Sequence, residues 1–162
     1  MPKFQFIVPK SIFLELYEGK DKALFWENDL FFALLDRFPV SPGHSLLIPK
    51  RFVADLADLN LHEKRGYFEA YFEVLKAIPW SCLKDFYSEW RLSSKSQKFC
   101  EFALASENLG KLSKEFNVGW NDGSSAGRSV HHVHMHIIPR YPGDLDSPRG
   151  GIRHVFPGLG SY

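Results

Sequence analysis

The chain has 162 residues, 44% hydrophobic and 24% charged, and its 20 basic and 19 acidic side chains leave a formal net charge of +1. That length suits one domain able to bury roughly 70% of the surface it exposes when unfolded, and the composition excludes a disordered protein. Near-neutral charge excludes a whole-surface field for nucleic acid or anionic membrane, but not a local cationic pocket.

Taken in chain order, the opening MPKFQFIVPK lacks the pattern of a secretory signal. No apolar run approaches the ~18–20 residues needed to cross a bilayer. Phe31 to Leu35 (FFALL) and Ser45 to Ile48 (SLLI) are short apolar runs separated by the loop PVSPGH, which reads as two strands. Residues 61–78 place Tyr67, Phe68, Tyr71, Phe72, Leu75 and Ile78 at helical spacing, which predicts an amphipathic helix with one aromatic-rich face, ended by Pro79. Residues 79–99 keep no clean period. A second helix is predicted over about 100–115, with Phe102, Leu104, Leu109 and Leu112 on one face, then a strand from Phe116 to Trp120, the turn NDGSSAG and a strand from Val130 to Ile138. The order strands, helix, helix, strands predicts an α+β fold with an antiparallel β-sheet and flanking helices, in one domain spanning 1–162. Cys82 and Cys100 fit neither a metal pair nor a disulfide framework, so a reducing cytoplasm is the expected setting.

The segment His132-Val133-His134-Met135-His136-Ile137-Ile138 carries the chemistry. In an extended strand, residues at i, i+2 and i+4 share a face, so the three imidazoles are expected on one side and Val133, Met135 and Ile137 on the other. Three alternating imidazoles fill a core poorly, because each brings ring nitrogens that need partners. A metal site is the competing reading. The outer pair lies ~13 Å apart along a strand at ~3.3 Å per residue, so a single ion needs a ligand from elsewhere, for which His44 is the candidate. The other reading is a row facing an anion, in which one imidazole attacks phosphorus and its neighbours orient it and hold phosphate oxygens. The loop of residues 121–129 enters this strand with two glycines, Gly123 and Gly127, whose backbone N–H groups can approach phosphate closely.

The run HVHMHII matches every position of the signature His-φ-His-φ-His-φ-φ, with φ apolar, and on it the chain resembles the histidine-triad (HIT) family. Residues 34–59 and 117–140 are similar to the family's N- and C-terminal blocks. Residues 143–158 are similar to the tails of bacterial members that hydrolyse dinucleoside polyphosphates. The resemblance implies that His134 is a nucleophile forming a nucleotidyl-histidine intermediate, that His136 contacts phosphate oxygens, and that His132 and His44 orient the nucleophile and its strand. It implies Asp36 at the ribose hydroxyls and Asn121, Gly127 and Ser129 at the phosphates or leaving group. It also implies a homodimer, a small-molecule nucleotide substrate, and no resident cofactor, though a Mg²⁺ ion can accompany the substrate's phosphates. Hydrolase or nucleotidyl transferase is the expected activity; a phosphoramidase, a phosphorylase or a non-catalytic nucleotide-binding regulator are the alternatives.

The chain also departs from the family pattern. Where some relatives carry a zinc-binding Cys-x-x-Cys pair, this sequence reads Ser11-Ile12-Phe13-Leu14, so no zinc or other metal site is expected. Position 128 is Arg where many relatives carry Gln, adding a cation beside the phosphate loop. Residues 79–99 look like a family-atypical insertion, forming a lid or an enlarged dimer surface, and Trp80 and Trp90 within it are expected to pack rather than stack on a base. Lys50-Arg51 reads as a solvated charged pair, His62 and His131 as residues outside the chemistry, and Arg149, Arg153 and His154 as candidate phosphate contacts.

Overall fold

Five short strands, β1 (Leu24–Glu27), β2 (Phe31–Leu35), β3 (Ser45–Pro49), β4 (Phe116–Gly119) and β5 (Met135–Pro139), are ordered β1-β2-β3-β5-β4 in one sheet. This arrangement is seen in a computed structural model that describes residues 11–90, 96, 97, 101 and 115–156. The helices are α1 (Ile12–Glu18), α2 (Leu61–Ala77) and α3 (Leu83–Glu89). The pairings of β1 with β2 and of β4 with β5 are antiparallel, so the α+β expectation holds. The expected helix over 100–115 lies almost wholly outside the described residues.

The chain gathers into two compact units. Among the described residues, the first comprises 11–34, 46–77 and 120–135, and the second comprises 35–45, 78–90, 115–119 and 136–156 with 96, 97 and 101.

In the first unit, β1 pairs with β2 in the register Leu24↔Leu34, Trp26↔Ala33 and Glu27↔Phe32. Every residue of β2 is buried, which explains why its sequence is a continuous apolar run rather than an alternating one. Helix α2 follows the prediction in extent but not in face. Its buried residues are Glu63, Tyr67, Ala70 and Val74, whereas Phe68 and Phe72 are 67% and 59% exposed. The stripe that recurs every three or four residues therefore runs through a glutamate and an alanine, and the aromatic cluster lies mostly beside it.

Glu63 sits in the core, only 3% exposed, because its carboxylate is satisfied from two sides. Asn60 and Glu63 form a reciprocal cap at the start of α2: the Glu63 N–H donates to Asn60 Oδ1 at 2.9 Å, and the Asn60 N–H donates to Glu63 Oε2 at 2.8 Å. Arg51 completes the arrangement with Nε 2.8 Å from Oε1 and a terminal nitrogen 2.6 Å from Oε2, the latter nitrogen also donating to the Asp58 carbonyl at 3.0 Å. The expected solvated Lys50-Arg51 pair is thus engaged, since Lys50 also meets Glu27 at 3.0 Å.

The second unit pairs β4 with β5 through Phe116↔Pro139, Asn117↔Ile138, Val118↔Ile137 and Gly119↔His136. Its PVSPGH loop is fixed from three directions. The Ser41 hydroxyl donates to the Pro139 carbonyl at 2.5 Å, the Tyr141 hydroxyl donates to the Pro42 carbonyl at 2.6 Å, and the Gly43 N–H donates to the Tyr87 hydroxyl at 2.8 Å. Gly43 has φ 83°, and a Cβ there would come within 2.9 Å of the Trp80 ring, so both backbone and space require glycine. Trp80 therefore packs on the loop as expected, and Trp90 receives the Arg37 guanidinium 5.8 Å from its ring centre. Residues 80–89 form a short 3₁₀ turn and α3.

Hydrogen bonding to Arg51 holds the Glu63 carboxyl below its usual value near 4.5, outweighing burial, which acts upward. A depressed carboxyl contributes stability above the unfolded value and loses it as pH falls through the folded one. Glu63→Ala is expected to cost about 2 kcal/mol, discounted because Arg51 is half exposed, or ~4–8 °C in Tm. Thermal melts at pH 7 and pH 3.5 check this: the gap between wild type and variant should narrow at the lower pH.

Candidate active site

The histidine run crosses from the first unit to the second between Met135 and His136. In the first unit the backbone is not a strand through His132, Val133 and His134, because β5 begins at Met135. The expected strand from Val130 is corrected accordingly. Val133 donates its N–H to the Val53 carbonyl at 2.8 Å, and residues 132–135 are all buried, with no alternation.

His132 turns inward and is 0% exposed. Its Nε2 lies 3.0 Å from the Pro49 carbonyl and 3.2 Å from the Arg51 carbonyl, so Nε2 carries the proton and donates. Its Nδ1 then accepts from the Ser11 hydroxyl at 2.8 Å, while the Ser11 oxygen accepts the Phe13 N–H at 3.1 Å as the N-cap of α1. Burial pushes the His132 pKa down, only partly offset by the Arg51 and Pro49 carbonyls, and the nearby His134 ring acts in the same downward direction. The ring is therefore neutral with a single tautomer. Ser11 was legible in the sequence only as a missing cysteine; its pairing with a histidine 121 residues away has no local signal. Its hydroxyl is committed to His132, and the Ser11–Leu14 run offers no thiolate, so these residues do not fit the zinc site of those relatives.

His134 is 6% exposed and is held by its neighbour's backbone: Nδ1 lies 2.7 Å from the His132 carbonyl. A carbonyl can only accept, so Nδ1 carries the hydrogen and Nε2 carries the lone pair. The Phe13 ring stands edge-on to the imidazole, 4.9 Å between centres. His134 lines a cleft of about 170 Å³ with Leu56, Trp120, Asn121, Asp122 and Arg128. The described residues thus keep the central ring at an opening rather than sealed in the core.

The loop between Trp120 and Val130 belongs to the same unit. Asn121, Gly127 and Ser129, the expected phosphate contacts, are all exposed. Gly127 has φ 92°, a left-handed conformation that only glycine adopts without strain, which turns the chain back toward Arg128.

In the second unit, Asp36, His44 and His136 come together, with one ligand atom from each lying within 4.8 Å of the others. His44 Nε2 is 3.0 Å from His136 Nδ1, so one of the two donates to the other. His44 Nδ1 sits 3.4 Å from both an Asp36 carboxylate oxygen and the Val40 N–H. It can therefore hold a proton toward Asp36 or lack one toward Val40. The other Asp36 oxygen accepts the Phe38 N–H at 2.8 Å. Two imidazoles and a carboxylate are a donor set suited to a transition ion, and the hydrogen bond between the two rings also suits them to a proton relay. The tail residues Arg149, Arg153 and His154 are exposed in this unit, and His131 and His62 are exposed in the other.

A buried histidine network with a tautomer-fixed ring at a small cleft, carried on a five-stranded antiparallel α+β fold, defines the class of the protein. Comparison narrows it: the chain belongs to the HIT domain family, whose pattern matches residues 18–143. It is 30% identical over 121 residues to a bis(5'-adenosyl)-triphosphatase of Saccharomyces cerevisiae, covering 74% of this chain and 45% of that one, so it spans under half of that relative's length. It is also 30% identical over 137 residues to an uncharacterized HIT-like protein of Saccharolobus solfataricus, covering 83% and 77% of the two chains. A HIT family protein from Bacillus anthracis superposes with a TM-score of 0.58 at 26% identity, over 84% of this chain and 77% of that one. One from Bacillus subtilis gives 0.57 at 26%, over 83% and 76%. No helix among the described residues is long and apolar enough to cross a membrane.

Because its folded pKa lies below the unfolded value, His132 costs stability as pH falls below about 6.5, where the unfolded chain takes up a proton that the native ring refuses. Nitrogen NMR of labelled histidines is expected to show His132 with its hydrogen on Nε2 and less protonated at pH 6.5 than an ordinary histidine. A ring already half protonated at pH 6.5 contradicts the assignment.

Proposed function

We propose that this chain is a nucleotide hydrolase or nucleotidyl transferase that cleaves a dinucleoside polyphosphate, such as a diadenosine polyphosphate, at its α-phosphate through His134. The observation that carries this reading is the 2.7 Å contact from His134 Nδ1 to the His132 carbonyl, which leaves the neutral ring's lone pair on Nε2, in a residue that lines the cleft. Family membership and the likeness to a bis(5'-adenosyl)-triphosphatase support it.

The Nε2 lone pair attacks the α-phosphorus, and the bond from phosphorus to the bridging oxygen breaks. The oxygen departs with that electron pair as a nucleoside polyphosphate. The new P–N bond makes the ring cationic, and Nδ1–H donation to a fixed carbonyl stabilises that charge without reorganisation. Water then attacks phosphorus, the P–N bond returns its electrons to Nε2, and water's proton passes to a base as the nucleoside monophosphate leaves.

His136 is the base and the acid of this scheme, and His44 sets which. When His44 is neutral with its proton toward Asp36, His44 Nε2 accepts from His136 Nδ1–H and the His136 lone pair is on Nε2. When His44 is doubly protonated, it donates to His136 Nδ1, and His136 Nε2 carries a proton for the leaving oxygen. Asn121, Gly127 and Ser129 contact phosphate oxygens in the same reading. Asp36, assigned to the ribose by resemblance, also orients His44 at 3.4 Å. Homodimeric assembly and a cytoplasmic setting belong to the proposal.

Brief incubation with diadenosine triphosphate followed by peptide mass spectrometry is expected to show an adenylyl adduct on His134. His134→Ala is expected to lower turnover by at least ~10³-fold. Absence of the adduct together with variant turnover within tenfold of wild type overturns the reading. Product analysis with added inorganic phosphate, and with adenosine 5'-phosphoramidate as substrate, separates hydrolase from phosphorylase and phosphoramidase.

A further inference from the structure

Arg128 is the cation of the His134 cleft, and its surroundings are unusual for a guanidinium that serves structure alone. The side chain is nine-tenths buried, at 10% exposure. One terminal nitrogen takes all its described ionic partners: it donates to the Ala54 carbonyl, lies 2.9 Å from an Asp55 oxygen and lies 3.6 Å from an Asp122 oxygen. The Nε–H is buried and has no hydrogen-bond partner among the described residues. A buried donor without an acceptor is costly, the more so on a charged group. Both Arg128 and Asp122 line the cleft with His134.

We propose that Arg128 forms a polyphosphate subsite, binding anionic oxygens of the leaving chain, and that Asp55 and Asp122 restrict it to ligands carrying several negative charges. This rests on the nucleotidyl-transfer reading above and names the substrate class within it. The guanidinium is already balanced by two carboxylates, 54% and 47% exposed, which an entering anion must displace. A phosphoryl group of single charge gains too little against two preorganised carboxylates. A polyphosphate brings several charges and can supply the acceptor that Nε lacks, in the planar two-point geometry that guanidinium favours. The cleft therefore selects against substrates whose leaving group is an uncharged amine.

Isothermal titration of wild type and variants with inorganic tripolyphosphate, without divalent ions, tests the subsite apart from turnover. Arg128→Gln is expected to weaken binding by tenfold or more, and Asp122→Asn, at an exposed position, to tighten it several-fold by removing a competitor. With turnover, the ratio of kcat/KM for diadenosine triphosphate to that for adenosine 5'-phosphoramidate is expected to fall at least tenfold in Arg128→Gln. Unchanged tripolyphosphate binding in Arg128→Gln overturns the proposal, as does weaker binding in Asp122→Asn, which makes the carboxylate a support for Arg128. Should wild type bind tripolyphosphate through Arg128 yet form no His134 adduct, the hydrolase reading fails and the subsite stands. An adduct with Arg128-independent binding gives the reverse.

Discussion

The imidazole of His132, sealed from solvent and held neutral, is the constraint on which the arrangement of the nucleophile depends. Its two nitrogens are assigned opposite roles by the groups they face: a hydroxyl at Nδ1 and two carbonyls at Nε2. That fixes the ring, and the fixed ring holds its own backbone carbonyl in place for His134. The carbonyl of Arg51 is part of the same system, and Arg51 is itself anchored by the buried Glu63 that caps α2. A line of hydrogen bonds therefore runs from a helix cap, through an ion pair and a neutral histidine, to the tautomer of the attacking ring. Each step is local.

The His44–His136 pair obeys a different logic. His132 has one permitted proton arrangement; His44 has two of similar geometry, because its Nδ1 lies equally far from a carboxylate that accepts and an amide that donates. At 3.0 Å the two rings share one hydrogen, so a proton gained at one end of the pair changes what the other end offers. A reaction that needs an acid in its first half and a base in its second is served by such a pair. The loop that carries His44 is correspondingly rigid, pinned by Ser41, Tyr141 and Tyr87, so that protons move and the backbone does not.

The sequence made the central elements legible because they rest on local signals: apolar runs for β2 and β3, helical spacing for α2, and alternation for β5, where Met135, Ile137 and Pro139 are buried and His136 and Ile138 half buried. It failed where a tertiary partner overrides the pattern. Alternation suggested a strand from Val130, but Ser11 and the Pro49 and Arg51 carbonyls hold His132 in the core before the strand begins at Met135. Phe68 and Phe72 look like core residues by composition, yet the buried stripe of α2 is decided by Glu63, whose ion pair cannot be read from hydrophobicity. The meeting of Asp36, His44 and His136 is also non-local, and reading Asp36 only toward a ribose overlooked His44 eight positions ahead.

Polar groups buried in quantity destabilise a fold unless each finds a partner, and this chain shows where that rule is kept and where it is relaxed. Ser11, His132 and Glu63 are buried and meet identified donors or acceptors. Those groups position others, and a missing partner there would cost stability in every state of the protein. Arg128 is the contrast: it lies at the cleft, its charge is balanced, and one of its donors is not matched among the described residues. Under the proposed subsite, that donor lowers the stability of the unliganded protein alone, because the ligand would satisfy it. The residual cost would thus fall on the state that binding removes, whereas the indole N–H of Trp80, which packs on the His44 loop and is likewise unmatched among the described residues, weighs on every state.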